Sequence, residues 1–492
     1  MRKKQIVSLF VLFALAGTLL CCARADTPRE EATTAEKSRQ VPQSLVGLDL
    51  GGREFTLCVA SEGWGWGGED LWRAEDRSLA GDPIYDAVMQ RNLDLAEQYG
   101  IVMQKPWGIG LYDGAFSRIL QSLQSGDGAF DAVSTKAESC VRLALGGYLT
   151  DLAALASVHP ENPWWDEKMV RDCTFGSHLY FLVGEYSLCD KEATYAFAFH
   201  KGLYDQYKDD PAFGADGRSL YEIVQRGEWT FEKMLQMADY IGNDLDGNGK
   251  YDENDRYGLC YEQTNYVGFL GAAGIRLAGV NRGAEQPFSL QFASEKTFSL
   301  WQRLTEMARS SATFNSHFEL NEKRYSMFFS GRILFFSEYI RTMLGLRNAA
   351  ADVAFGIVPF PKYDKAQAEY ISPVHEYGTN FLCIPAANSA AEETGAILEA
   401  LNYESMHTLT PAFTEKLLVG NLTRDEESEP MLSLIFSSRS YDFGLICNLG
   451  GFHEPTLLRM FNAADPYIAS RYAAYEPRMR ADLEKLTALF AE

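Results

Sequence analysis

The side chains between Asp244 and Asp255 have the types and spacing of a cation cage. In Asp244-Leu-Asp246-Gly-Asn248-Gly249-Lys250-Tyr-Asp252-Glu-Asn-Asp255, oxygen-bearing side chains fall at loop positions one, three, five, nine and twelve. Gly249 stands at position six, where a calcium loop turns sharply, and Lys250 at position seven, where only the backbone carbonyl is used. Hard oxygen ligands in this order suit Ca2+. The last of them is Asp255 in place of the usual bidentate Glu, and its shorter stem weakens the grip. The loop is single and lies mid-chain, which points to a structural ion that locks a helix-to-strand connection.

Other patterns fall short of chemistry. Gly63-Trp-Gly65-Trp-Gly67-Gly68 satisfies the spacing of a dinucleotide loop. That loop needs small residues, so that backbone can approach pyrophosphate, and a helix that begins at once. Here Trp64 and Trp66 fill the gaps and Glu69-Asp70 follow. Two tryptophans in a loop after the first strand suit stacking on the face of a ring-shaped ligand better. His375-Glu376 and His453-Glu454 are each half of a zinc-protease motif, and neither has a second His four residues on. There is no nucleophile elbow and no phosphate-binding Lys loop. The chain is therefore expected not to be an enzyme.

Bulk properties narrow the partners. The 492 residues carry a net charge of -22, which repels phosphate backbones and excludes nucleic acid as the expected partner. Aromatics make up 13% of the chain, enough both to fill a core and to line a groove. The N-terminus has Arg2, Lys3 and Lys4, then an apolar run from Ile6 to Leu20, then Cys21 and Cys22. A basic start before a short apolar run is an export signal, and the run is short for a membrane span. Residues 26 to 40 are polar and without periodicity, as in a flexible tether. The seven downstream cysteines are scattered, show no zinc spacing, and read mostly as small buried apolar groups.

The elements that would position a site follow from periodicity. Leu45–Leu50 and Phe55–Ala60 read as a strand pair about Gly51-Gly52. Asp82-Pro83 opens a helix that Gly100 closes. Ile101–Gln104, a helix over Phe116–Leu123 and a strand at Phe130–Val133 follow. This β-α-β-α-β order implies a parallel sheet with crossover helices. Further on, a helix over Phe231–Ile241 and strands at Tyr257–Tyr261, Ile333–Phe336, Val353–Val358 and Phe381–Ile384 are expected, with a mostly helical last third.

Taken in order, these pieces resemble the extracellular solute-binding proteins of the carbohydrate type, the group that includes maltose-binding protein. The resemblance spans the mature chain. It is carried by the lipoprotein-like start, the tether, Gly51-Gly52-Arg-Glu-Phe55-Thr and Ala87-Val-Met-Gln-Arg91-Asn92. Gly128-Ala-Phe-Asp131, Glu228-Trp229-Thr230 running on to Asp246-Gly-Asn-Gly-Lys250, Pro385, and Glu399-Ala-Leu-Asn-Tyr-Glu-Ser405 complete it. The departures are the Cys before the lipidated Cys, for which Cys22 is the expected site and Cys21 the alternative, and the lack of a motif that fixes the ligand.

The resemblance implies an α/β, two-lobed type II periplasmic-binding-protein-like fold, each lobe a mainly parallel sheet flanked by helices. Residues 1–22 would be the signal and 23–42 the tether. Lobe 1 would comprise 43–187 plus 361–405, and lobe 2 188–360 plus 406–492. The chain would cross near Phe181–Cys189 and again near Phe355–Pro361. It also implies a monomer on the outer face of the cytoplasmic membrane, held there only by its lipid, that hands a sugar to ABC permease subunits. Cleft candidates at strand ends are Trp64, Trp66, Trp107, Ser134, Thr135, Glu185, Tyr186, Gln263, Tyr266, Glu338, Tyr339, His375 and Tyr377. Two other readings stay open: a secreted carbohydrate-active hydrolase, and a surface interaction lipoprotein without a transport role.

Overall fold

A computed structural model describes residues 41–59, 80–108, 114–281, 287–317, 321–349, 353–418 and 426–489. The export signal, Cys21 and Cys22, nearly all of the tether, Trp64 and Trp66 lie outside the described residues. Residues 1–46 form a unit of their own, of which 41–46 are described, with a single 3-10 turn at Gln43–Leu45. Residues 47–492 form the other unit, which holds every strand and α-helix described.

The expected β-α-β-α-β run is present. Strands β1 (Arg53–Phe55) and β2 (Leu57–Val59) lie end to end, followed by helix α1 (Pro83–Tyr99), β3 (Ile101–Met103), α2 (Ala115–Ser125), β4 (Ala132–Lys136) and α3 (Ala137–Leu145). Asp82 caps α1 by accepting from Ile84 N at 2.9 Å and Tyr85 N at 3.3 Å, and Gly100 ends it at φ 63°. The strand pair expected about Gly51-Gly52 does not form. β1 pairs in parallel with β3, and β2 in parallel with β4. Gly52 N and Arg53 N instead donate to Gly100 O, each at 2.8 Å, so the glycine bend seats the chain on the end of α1. A later strand, Asn380–Cys383, runs antiparallel beside β4 in the same sheet.

Among the described residues the second sheet has five strands. β5 (Tyr195–His200), β6 (Tyr257–Tyr261), β9 (Thr313–Asn315), β10 (Ile333–Tyr339) and β11 (Phe355–Val358) lie in the order β11-β5-β10-β6-β9. β10, β6 and β9 are parallel, and β5 runs antiparallel between β10 and β11. Every residue of β10 is buried, which suits a central strand covered on both faces. Helix Phe231–Ile241 forms as its periodicity predicts, capped by Thr230. Trp229, just before it, is wholly buried and donates from Nε1 to Pro359 O at 2.9 Å. Short pairs complete the strands: β7 (Ala278–Val280) with β8 (Phe288–Leu290), and β12 (Ser372–Pro373) with β14 (Arg439–Ser440). β13 is the Asn380–Cys383 strand of the first sheet. Six of the seven described cysteines are buried, as free thiols.

Among the described residues the chain passes between the sheets twice up to the Asn380–Cys383 strand, and later it returns to the second sheet, where helix Glu429–Ser437 packs on β11. The first passage leaves the first sheet at Leu182, which pairs with Leu382, and reaches β5 at Tyr195. The second comes later than Phe355–Pro361. After β11 the chain stays with the second sheet: Phe231 N donates to Lys362 O at 2.8 Å, and buried Tyr370 accepts from Trp229 N at 3.3 Å. Val374 pairs with Thr194, and only Asn380 enters the first sheet, against Lys136. The division expected at residue 361 therefore moves to 374–379. Helix Leu409–Leu418 packs on both α1 and helix Ile340–Ala349, so it belongs to neither sheet alone.

The polar members of the Glu399–Ser405 stretch are buried and engaged. The Glu399 carboxylate accepts from His159 N at 2.8 Å, Asn162 Nδ2 at 2.8 Å, Trp164 Nε1 at 2.9 Å and Trp165 Nε1 at 2.8 Å. Asn402 Oδ1 accepts from Tyr186 N at 2.9 Å, at the first passage. Replacing Glu399 by Ala strands four donors, each costly to leave unpaired. Glu399→Ala is expected to lose about 3 kcal/mol in urea unfolding. A loss within experimental error would contradict this role.

Candidate ligand-binding site

A cavity of about 700 Å³ opens where the parallel strands of the second sheet end. Its wall comes from residues just past β6 (Glu262, Gln263, Thr264), past β9 (Ser316, His317) and at the end of β10 (Glu338, Tyr339). Helix Asn321–Phe329 adds Arg324 and Tyr325, and helix Ile340–Ala349 adds Arg341 and Thr342. His375, Tyr377 and Gly378 enter from the second passage and Glu454 from the C-terminal segment. The carboxyl ends of parallel strands are where α/β sheets place their ligands, because the connecting loops diverge there.

The polar groups of the wall hold one another in place. Arg324 Nη1 lies 2.7 Å from Glu338 Oε1 and also donates to Ser316 Oγ at 3.2 Å. Thr342 donates to Glu338 Oε2 at 3.0 Å. Burial pushes the Glu338 carboxyl above the ordinary range, while Arg324 opposes that rise. Glu262 accepts from Thr264 N and Thr264 Oγ1 at 2.8 and 2.7 Å, and its other oxygen lies 3.2 Å from His317 Nδ1. Thr264 Oγ1 also bonds Tyr339 Oη.

A row of rings runs along the passage. The centroids of Tyr339 and His375 are 5.1 Å apart, edge to face, and those of His375 and Tyr377 are 5.6 Å apart. The Tyr377 ring stacks on His453 at 5.8 Å and 18°. His375 Nδ1 accepts from Tyr377 N at 3.1 Å, and burial holds the His375 pKa below its usual value. Behind this row, buried His453 bonds Glu376 through Nε2, and its Nδ1 lies 2.9 Å from Tyr266 Oη. Burial alone would raise Glu376, but His453 and His375 bring it down to about 2. Burial alone would lower His453, but Glu376 raises it above the usual value.

Of the residues expected in a cleft, Gln263, Glu338, Tyr339, His375 and Tyr377 line the cavity. Six others do not. Ser134 and Thr135 are buried in the central strand of the first sheet, and the Ser134 hydroxyl bonds Tyr186 Oη at 2.8 Å. Tyr186 is wholly buried beside them. Glu185 is spent on Lys191, whose Nζ lies 3.0 Å away, and on the Thr410 hydroxyl. Trp107 packs on Phe130 at 5.2 Å, and Tyr266 stands behind the wall. Sequence reading missed Glu262, Thr264, Ser316, His317, Arg324, Tyr325, Arg341, Thr342 and Glu454. Ser316 and His317 follow the short strand Thr313–Asn315, which is not among the strands expected from the sequence.

The acidic loop draws Asp244, Asp246 and Asp255 together, with ligand oxygens all within 4.8 Å of one another. Asp255 is wholly buried and accepts from Leu245 N at 2.9 Å and Asp252 N at 2.8 Å. Gly249 has φ 75°, as the turn requires. Asn248 Oδ1 accepts from Lys250 N at 2.7 Å, and Asp252 Oδ1 from Asn254 N at 2.8 Å. The loop precedes β6, whereas the cavity lies beyond that strand's other end.

No family model and no curated protein matches the sequence. Solved structures do match the fold. A cyclo/maltodextrin-binding protein complexed with maltotetraose aligns over 87% of this chain and 97% of its own, at 13% identity and TM-score 0.56. An ABC substrate-binding protein from Listeria monocytogenes in complex with cycloalternan aligns over 88% and 99%, at 13% identity and TM-score 0.53. The fold is that of the type II solute-binding proteins. An ABC transporter associated binding protein from B. animalis subsp. lactis, in complex with beta-1,6-galactobiose, aligns over 88% and 98%, at 13% identity and TM-score 0.51.

The Glu376–His453 pair has a pH signature. Glu376, depressed in the fold, adds stability above its unfolded value of about 4.3, lost as pH falls towards 2. His453, raised in the fold, adds stability below its unfolded value of about 6.5, lost as pH rises through its folded value. Wild type should therefore exceed Glu376→Gln most between about pH 4.5 and 6.5, by about 3 kcal/mol. A difference independent of pH in denaturant titrations would contradict the pairing.

Proposed function

We propose that this protein is the capture component of an ABC importer, binding a sugar or oligosaccharide in the cavity beside the second passage without covalent chemistry. The observation that carries the reading is the wall itself. It mixes tyrosine and histidine rings with carboxylate, guanidinium, hydroxyl and amide groups, as a polyhydroxylated ring requires. The fold, and neighbours solved with maltotetraose, cycloalternan and beta-1,6-galactobiose, support it. Glu338, the most buried carboxylate of the wall, is held by Arg324 and Thr342, which suits hydrogen bonding to hydroxyls more than acid catalysis. On this reading Cys22 carries the lipid that holds the chain to the outer face of the cytoplasmic membrane, and the partner is a pair of permease subunits. Among the described residues no helix is long and apolar enough to cross a membrane.

Thermal unfolding of the chain lacking residues 1–22 tests the capture. A ligand at 100 times its Kd adds about 2.7 kcal/mol to the folded state. Maltotetraose, cycloalternan, beta-1,6-galactobiose and a set of peptides form the panel. One carbohydrate is expected to raise the midpoint by several degrees, and peptides are expected to leave it unchanged. Stabilisation by peptides instead would retire the sugar assignment.

We also propose a structural Ca2+ held by Asp244, Asp246, Asn248, the Lys250 carbonyl, Asp252 and Asp255. The converging carboxylates and the glycine turn support it. EDTA is expected to lower the midpoint of the wild type and to leave Asp246→Ala unchanged. An unaltered wild-type midpoint on chelation would retire the ion.

A further inference from the structure

The cavity wall comes from the second sheet, the second passage and the C-terminal segment, and the first sheet approaches it at the end of β4. β4 ends at Lys136, which pairs with Asn380 just after the passage joins the first sheet. Ser134 and Thr135 are buried, whereas Lys136, at the end of the strand, is part-exposed. It leads straight into α3 and makes no side-chain cap there. Its ammonium lies 4.9 Å from the centroid of the Tyr377 ring and 3.1 Å from Glu138 Oε2. Tyr377 lines the cavity. A cation, a carboxylate and a half-buried ring thus meet at the edge where the first sheet approaches the cavity.

We propose that Lys136 and Glu138 form the first sheet's half of the binding site, contacting the hydroxyl groups of a sugar ring laid against Tyr377. This rests on the sugar-capture reading above. A lysine head group carries three donors on a flexible stem, and the cation–π contact with Tyr377 is worth only about 1 kcal/mol at a partly exposed site. A polyhydroxylated ring can displace the ammonium from Tyr377 cheaply. It then receives a hydrogen bond from Lys136, donates one to Glu138, and buries the tyrosine face against its C–H groups. The same exchange ties the first sheet to the second, because both residues belong to β4 and α3 whereas Tyr377 belongs to the passage.

The test is isothermal titration of the full chain with maltotetraose, cycloalternan and beta-1,6-galactobiose, alongside the unliganded melting midpoint. Lys136→Ala should weaken the sugar that binds wild type at least tenfold and leave the unliganded midpoint within a degree or two of wild type. Lys136→Arg, which keeps charge and donors, should recover most of the affinity, and Glu138→Gln should lose several-fold. Unchanged affinity in Lys136→Ala, with or without a lowered midpoint, overturns the assignment while leaving sugar capture intact. If wild type binds none of the three sugars, the capture reading falls and this inference falls with it.

Discussion

Burying a carboxylate costs several kcal/mol unless a cation and hydrogen bonds replace its water, and at the second passage that cation is His453. Glu376 and His453 are 77 residues apart in the chain and are both buried. Either one alone would be an uncompensated buried group, so the pair forces the passage and the C-terminal segment into one position. Tyr377, one residue on, stacks on the same imidazole, and His375, one residue before, carries the ring row to Tyr339. His375, Tyr377 and Glu454, the chain neighbours of this buried pair, line the cavity.

The first passage is fixed by the same physics. Arg439 reaches Asp166 Oδ2 at 2.8 Å and also pairs with Asp190, and Lys191 pairs with Glu185 at 3.0 Å. These side chains are almost entirely buried, so their mutual arrangement is discrete and resists continuous deformation. The charged groups locked in this way fix how the two sheets are joined. The acidic loop sits at the far end of β6 from the cavity, which suits a stabilising role more than one in ligand selection.

Much of this was legible in the sequence because it depends on local rules. Asp82-Pro83 and Gly100 bound α1 through capping and positive φ, and the strands at Tyr257–Tyr261 and Phe355–Val358 follow from short apolar runs. The turn glycine and spaced acids of the Asp244–Asp255 loop are local as well. What failed was non-local. Ser134 and Thr135 stand at a strand end, but a strand some 240 residues later pairs beside them, which makes β4 the central strand of its sheet, and both are buried. Gly51-Gly52 looks like a hairpin turn, but the carbonyl of Gly100, on the far side of α1, takes the Gly52 amide. His375-Glu376 and His453-Glu454 read as incomplete zinc motifs, and nothing in either segment says that one supplies the acid and the other the base of a single pair. Glu185 and Tyr186 sit at the first passage as expected, yet their side chains serve the passage and not the cavity.

The central claim is that a sugar is gripped between the two sheets. Spin labels at Glu161→Cys, on the first sheet's side, and Asp239→Cys, on the helix flanking the second, measure that directly, since both positions are exposed. Pulsed electron–electron resonance with a bound oligosaccharide should show a shorter and narrower distance distribution than the free protein. A saturating sugar that leaves the distribution unchanged would contradict the account.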